Sequence, residues 1–570
     1  MDTADGRIWA APALPAHSRC RGRAAPPPTG YHRSMSKRRP DTAGRRRRAT
    51  PPPPRRARPP APEPPVVGFV SLGCAKNLVD SEKMLGQIAE SGAILSGDES
   101  LADTIVVNTC GFLDASRQEA LDVLRELAER KRRGRLRCIV VAGCLVQRDG
   151  RKLLDAVPEI DALVGVHQRD DVPAAVWGDR RRPSDACPAA SDAPATDGAA
   201  VAPPARLSLP VASTAGPSLP VASTAGPSLP VAPGGAPAGP RGAPELYLGD
   251  YHPQPWSDQG RLRLTPTHYA YVRISEGCNQ KCTFCTIPSI RGPMRSKTPD
   301  QLVAECRELL ADGARELILI GQDTTSYGAD LGYEPGLAGL LRTLDAACDT
   351  ARWLRLMYVY PSVFTDAMIE AIAECERVVK YIDIPLQHIN DRMLKAMGRR
   401  VTRRQQEELL EKLRRRIPGV AIRTTFIVGF PTETEGEFAE LLEFVQSFGF
   451  DAVGAFPYSL EPETPAGRMN GHLDPAVRAE RYERLMRTQQ GPAFAAARRR
   501  IGSSFEVVID AETEHGLVAR HAGQAPEVDA VTRLPAGAGR VGDFLTVACV
   551  DADGYDLLAR PTRMPLRVLR

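Results

Sequence analysis

Three cysteines within one short stretch, Gly277-Cys278-Asn279-Gln280-Lys281-Cys282-Thr283-Phe284-Cys285, constrain this chain more than any other feature. The spacing C-x3-C-x2-C lets three thiolates hold three corners of an iron–sulfur cube and leaves the fourth iron without a protein ligand. A thiolate on every iron makes an electron carrier, whereas one bare iron makes a place to bind and activate a molecule. Zinc is the competing guest, and chance clustering the plainest alternative. Zinc would want a fourth Cys or His at short range, and the next one downstream is Cys306, inside a helical pattern. Iron–sulfur is therefore the favoured reading.

The 570 residues suffice for three or four domains with sizeable cores. Thirteen cysteines are an ordinary fraction for that length and imply no disulfide framework. Unpaired thiols suit a reducing cytosol, and a cytoplasmic location is expected. No apolar run of about 18 residues predicts a membrane span, and the N-terminus lacks the apolar core of a signal peptide. The net charge of +5 hides an asymmetry: residues 1–65 carry fifteen Arg/Lys against four Asp/Glu, so the rest of the chain sums to −6.

Composition divides the chain into five segments: 1–65, 66–180, 181–262, 263–500 and 501–570. The first is rich in Pro, Ala and Arg and cannot bury enough apolar surface to offset its ordering entropy. It reads as a basic arm for nucleic acid or ribosome, or as a dispensable extension. In 66–180, the β-branched runs Val66–Leu72, Thr104–Thr109 and Arg137–Ala142 alternate with helical patterns at Leu78–Glu90 and Ala115–Lys131, predicting a small parallel α/β sheet. Residues 181–262 are low in complexity, with Ser-Leu-Pro-Val-Ala-Ser-Thr-Ala-Gly-Pro at 208–217 and again at 218–227, and read as a linker without chemistry.

The fourth segment predicts six strands, Tyr269–Ser275, Glu316–Gln322, Trp353–Tyr360, Lys380–Pro385, Ile422–Gly429 and Asp451–Tyr458. Helices such as Pro299–Leu310, Thr402–Arg416 and Glu435–Phe448 separate them. Six β/α units fall short of the eight that close a barrel, so a partial (β/α)6 barrel with a gap to cover is expected. A charged helix, about Pro475–Arg500, leads out. The short alternating strands Phe505–Ile509, Phe544–Val550 and Asp556–Ala559 then fit a small all-β barrel.

A second cysteine trio is dispersed. Cys74, Cys110 and Cys144 each fall just past the end of one of the three N-terminal strands. In a parallel sheet those ends share the edge where open α/β sheets place ligands. The three thiols would converge there on a second cube with one open iron, unless they are unrelated core residues. Cys138, Cys306, Cys348, Cys375 and Cys549 read as small hydrophobes, and Cys20 and Cys187 lie in low-complexity segments.

Leu72-Gly-Cys-Ala-Lys-Asn-Leu-Val-Asp-Ser-Glu82, Asn108-Thr-Cys-Gly-Phe112 and Ala142-Gly-Cys144 resemble the N-terminal module of radical S-adenosylmethionine (SAM) methylthiotransferases. Ile274-Ser-Glu-Gly-Cys-Asn279, Gly321-Gln322 and Gly429-Phe-Pro-Thr-Glu-Thr-Glu435 resemble their catalytic core, and Phe284 before the last cysteine fits the signature. Ala525-Pro-Glu-Val-Asp529 and Tyr555-Asp-Leu557 resemble their C-terminal TRAM barrel. Ala75-Lys76-Asn77-Leu78 and Pro385-Leu-Gln-His-Ile-Asn-Asp391 are nearer the branch that modifies a ribosomal protein than the branch that modifies tRNA. The resemblance covers nearly all of 66–570 apart from 181–262.

It implies two [4Fe–4S] clusters and two uses of SAM. The cluster on Cys278, Cys282 and Cys285 would bind SAM and cleave it to a radical. The cluster on Cys74, Cys110 and Cys144 would carry the sulfur, methylated by a second SAM. Gly321, Gln322, Thr424 and Gly429 would line SAM, although Gly429-Phe430-Pro431 also reads as a turn for close packing. The implied substrate is the β-carbon of an aspartate in ribosomal protein S-twelve, reached through the TRAM barrel. A reductant such as flavodoxin or ferredoxin and a monomeric enzyme are implied as well. Radical chemistry suits the task, because such a C–H bond is not acidic at any side-chain pKa.

Both open irons must face one pocket, so the N-terminal module should cap the partial barrel. A long insertion between them lowers the effective concentration of one at the other, and docking must then rest on a real interface. Residues 501–570 hold ten Asp/Glu and seven Lys/Arg, which suits a basic protein partner better than tRNA. Two alternatives stay open: a tRNA adenosine methylthiotransferase, and a non-catalytic iron–sulfur redox sensor with an RNA-binding tail.

Overall fold

The computed structural model describes residues 63–180, 243–249, 251 and 256–562. The basic tail to residue 62, the ten-residue repeats, Cys20, Cys187 and the last arginines, Arg563, Arg567 and Arg570, lie outside the described residues.

The first domain is a parallel sheet ordered β2-β1-β3-β4-β5-β6. Its strands are β1 (Val66–Ser71), β2 (Ile94–Leu95), β3 (Thr104–Thr109), β4 (Cys138–Gly143), β5 (Ala162–Gly165) and β6 (Glu245–Tyr247). β3 and β4 are buried at every position, as strands covered on both faces must be. Met84, Leu85 and Ile88 of α1 (Ala75–Glu90) and Val172, Ala175 and Val176 of α5 (Val172–Trp177) cover one face. Leu124 and Leu127 of α2 (Asp114–Arg132) cover the other, with Leu145 of α3 (Cys144–Asp149) and Leu153 of α4 (Lys152–Ala156).

β6 corrects the linker. Residues 245–247 lie in the stretch read as structureless to 262, yet they pair with β5 as the edge strand of this sheet. Asp258, also in that stretch, is fully buried. The insertion thus leaves and rejoins the same sheet, and it does not lengthen the connection to the next domain.

The central domain is the expected partial barrel. β7 (Tyr269–Arg273), β10 (Glu316–Ile320) and β11 (Trp353–Leu356) form one parallel sheet, and β12 (Tyr381–Asp383), β13 (Ala421–Val428) and β14 (Ala452–Pro457) a second. A single parallel bridge, Leu354 to Val378, links them. The small ribbon of β8 (Ser275–Glu276) and β9 (Arg295–Ser296) frames the cysteine loop, with α6 (Ile287–Arg291) inside it. The outer helices are α7 (Pro299–Ala311), α8 (Gly336–Ala347), α9 (Asp366–Glu374), α10 (Asp391–Ala396), α11 (Arg403–Arg416) and α12 (Glu435–Phe448). α7, α11 and α12 each begin with a complete capping box, which explains why sequence located their starts so closely.

α13 (Pro475–Arg499) leads to a closed five-stranded barrel of β15 (Ser504–Thr513), β16 (Gly516–His521), β17 (Thr532–Leu534), β18 (Phe544–Asp553) and β19 (Asp556–Pro561). Arg520 donates to Glu316 at 2.8 Å and to Asp510 at 2.6 Å, His268 meets Asp510 at 2.8 Å, and Tyr381 donates to Asp529 at 2.7 Å. Glu506 pairs with Arg352, and Tyr269 donates to Glu527. Four of the ten acidic residues behind the charge argument therefore face the central domain, and the net charge of this barrel does not describe its free surface. Among the described residues, no helix is long and apolar enough to cross a membrane.

Candidate iron–sulfur site between two domains

Each dispersed cysteine follows a strand end on one edge. Ser71 is in register with Asn108, and Thr109 with Gly143, so the chain reaches Cys74, Cys110 and Cys144 side by side. Glycine makes two of these corners possible. Gly73 and Gly143 both have φ +99°, which an L side chain rarely adopts. A Cβ on Gly73 would lie 2.8 Å from Cys110 Cβ, and one on Gly143 would lie 2.2 Å from Asn108 Oδ1. Cys74 caps α1 without a side-chain capping bond, so its thiol stays free. Cys110 and Cys144 are buried, while Cys74 is exposed. Burial pushes Cys144 up to about 12, against the pull of Arg291, and raises Cys110 too.

The other trio sits on the loop after β8. The Gln280 amide points at Cys278 Sγ and the Ile287 amide at Cys285 Sγ, both at 3.4 Å. Arg399 reaches Cys282 Sγ at 3.6 Å and lies 4.0 Å over the Tyr360 ring, while the Tyr360 hydroxyl is 3.9 Å from that sulfur. Burial lifts Cys278 to about 11 and Cys285 to about 12. Phe284 packs with Met393, Met397, Phe430, Tyr458 and Ala466, which shields one side of the loop from water.

No three His, Cys, Asp or Glu among the described residues converge on a single metal ion. A cubane is a larger guest that holds its thiolates further apart, and both trios offer what it needs: three soft donors with N–H groups aimed at the sulfurs. Gln322 supplies a further sign of fit. Its Nε2 donates to Glu276 at 2.7 Å, while its buried Oε1 has no partner. That acceptor, beside the loop of Cys278, suits the ammonium of an amino acid such as SAM. Gly321 is there for space, since a Cβ would meet Ser275 Oγ at 2.7 Å. Thr424 donates to the Ile384 carbonyl at 2.9 Å and ties β13 to its neighbour. Gly429 (φ +73°) turns against Arg478 of α13. The last two have packing reasons of their own.

Arg291, the final residue of α6, joins the two trios. It donates to Cys144 Sγ at 3.1 and 3.3 Å, to Asn77 Oδ1 at 3.2 Å and to Glu276 at 3.0 Å, and it pairs with Asp80 at 3.0 Å. Behind it lies a buried ion network. Arg273 pairs with Asp80 and Asp258 at 2.8 Å each and with Glu276. Arg169 pairs with Asp258 at 2.8 Å, as does Lys297 at 2.9 Å, and Lys297 also meets Glu305. Burial would raise the Asp258 carboxyl, but Arg273, Lys297 and Arg169 hold it well below the usual carboxylate range. On another flank, Arg117 and Arg148 of the first domain both reach Glu461 at 2.7 Å. These contacts are the interface that a common pocket requires. Sequence reading passed over Arg291, Glu276 and Asp258; the one signal available was charge inside otherwise apolar strand sequence around Arg273 and Glu276.

Fold and site together define a class: a radical-SAM enzyme with an α/β domain in front and a TRAM barrel behind. Residues 272–445 match the family model of the radical SAM superfamily, residues 66–165 that of uncharacterized protein family UPF0004, and residues 501–561 that of the TRAM domain. The chain is 41% identical to the ribosomal protein uS12 methylthiotransferase RimO of Anaeromyxobacter sp. (strain K), across 88% of this chain and 94% of that one. It is 38% identical to the RimO of Geobacter sulfurreducens, over 86% and 97%, and 37% identical to that of Desulforamulus reducens, over 87% and 99%. The chain belongs to the RimO family of uS12 methylthiotransferases.

Proposed function

We propose that this chain adds a methylthio group to the β-carbon of an aspartate in ribosomal protein uS12, consuming SAM both as radical source and as methyl donor. The observation that carries this reading is Arg291, which leaves the loop of one trio and bonds to a sulfur of the other. Two [4Fe–4S] clusters, held by Cys278, Cys282 and Cys285 and by Cys74, Cys110 and Cys144, would supply one-electron SAM cleavage and a sulfur on an open iron.

The chain's own residues hold, orient and shield. Arg399 and the amides of Gln280 and Ile287 offset negative charge on one set of sulfurs, and Arg291 does so on the other. Gln322 Oε1 would present an acceptor to the amino end of SAM, with Glu276 holding the Gln322 amide in place. The buried ion network fixes the first domain over the barrel mouth, so that a 1 Å error in approach is resisted by paired charges. A flavodoxin or ferredoxin would deliver the electron, and the enzyme would act as a monomer.

The family relationship favours uS12 over tRNA and over a sensor without catalysis. Mass spectrometry tests it. A strain lacking the gene should lose one methylthio group from uS12 while its tRNA stays unchanged; loss from tRNA alone refutes the reading. Iron and sulfide per anaerobically purified chain should match two cubes, about eight of each.

A further inference from the structure

One short stretch of the barrel reaches toward both trios. Just after β11 the chain runs through Tyr358, Val359 and Tyr360. The ring of Tyr358 meets the first domain: the Lys76 side chain, two residues beyond Cys74 on α1, ends 3.0 Å from its centre. Tyr360 meets the other trio. Its hydroxyl is 3.9 Å from Cys282 Sγ, and its ring carries Arg399 at 4.0 Å. In a regular strand, residues two apart line the same face. Tyr358 breaks that alternation, because it is held in the left-handed region at φ +61°. A bulky residue is strained there and stays only where its surroundings over-determine it, and such strain collects at functional sites.

Asp383, the last residue of β12 and only 1% exposed, supplies that constraint. One oxygen of its carboxylate accepts from the Tyr358 amide at 3.2 Å, and its main-chain carbonyl accepts from the Val359 amide at 3.0 Å. Arg423 of β13 donates to the other carboxylate oxygen at 2.8 Å. The Tyr358 carbonyl is taken in turn by Thr324, beyond β10, through its amide at 3.2 Å and its hydroxyl at 3.1 Å. The strained residue is therefore pinned from both half-sheets of the barrel. We propose that Asp383 is a positioning residue: by fixing the backbone of Tyr358 it sets, together with Arg291, how the two trios stand relative to each other. This deepens the function proposed above and rests on it. Transfer from one site to a radical made at the other depends on alignment, and a misplacement of about 1 Å can cost a hundredfold.

The test uses the cluster-loaded full chain under anaerobic conditions and reads two quantities. The first is 5′-deoxyadenosine formed per methylthio group placed on uS12, which Asp383→Asn should raise on the order of ten- to a hundredfold. The second is the magnetic interaction between the two reduced clusters in electron paramagnetic resonance, which the same variant should change. That second arm needs no uS12, so it separates the two readings. A wild type that cleaves SAM and leaves uS12 untouched overturns the substrate reading, whereas an interaction identical in wild type and variant overturns the role of Asp383. Asp383→Asn also deprives the Arg423 cation of a carboxylate, so Asp383→Asn combined with Arg423→Met tells placement from stability. The double variant should regain resistance to urea and keep the raised ratio. If ratio and stability recover together, Asp383 is a partner for Arg423 and nothing more.

Discussion

Cys278, Cys282 and Cys285 share one loop, and two of their three sulfurs receive amides from that same loop. Cys74, Cys110 and Cys144 come from three strand ends spread over seventy positions, and their cation, Arg291, is lent by another domain. The first trio is thus specified locally, the second by sheet register and domain docking together. A site of the second kind is only as sound as the fold that assembles it. One damaged strand corner or one lost ion pair should reach it while the local trio stays intact.

The largest effects fall on the thiols. Cys282→Ala should abolish 5′-deoxyadenosine formation from SAM, and Cys110→Ala should spare some of it while abolishing methylthio transfer. Each variant should hold about four irons instead of about eight. Equal loss of SAM cleavage in both breaks the comparison. Next comes Asp258→Asn, which strips a carboxylate from three buried cations and should cost about 3–5 kcal/mol in urea unfolding. Because the native Asp258 carboxyl is held below its ordinary 3.8, its contribution is complete above that pH and fades as pH falls below it. The variant's stability should accordingly vary less on acidification than the wild type's.

Smaller still, Gly143→Ala should cost about 1–3 kcal/mol through strain at φ +99°. It should remove the spectroscopic signal of the second cluster and leave that of the first. If both signals disappear together, the two sites are not separately specified. The smallest effect belongs to a packing cysteine: Cys306→Ala, in the fully buried face of α7, should cost about 1 kcal/mol and release no iron.

Much of the fold was legible because its determinants are local. The β-branched runs of the first sheet and the capping boxes at Thr298, Thr402 and Thr434 mark elements within a few residues. Both trios were legible for the same reason, a spacing in one case and a repeated position after strands in the other. β5 and β6 were not, being four and three residues long and set beside Pro- and Gly-rich sequence. The ion network left no local trace either, since Asp80, Asp258 and Arg273 meet across nearly two hundred residues. The acidity of the TRAM barrel was real but misassigned, because Asp510, Glu527 and Asp529 turn inward. Composition counts charges without saying which way they point.

The pairing of β6 with β5 has a practical consequence. The described residues on either side of 181–242 belong to one domain, α5 packed on its sheet and β6 paired at its edge. A fluorescent protein spliced into that excursion should be carried without parting the first domain from the barrel, giving a direct optical handle on the protein in living cells.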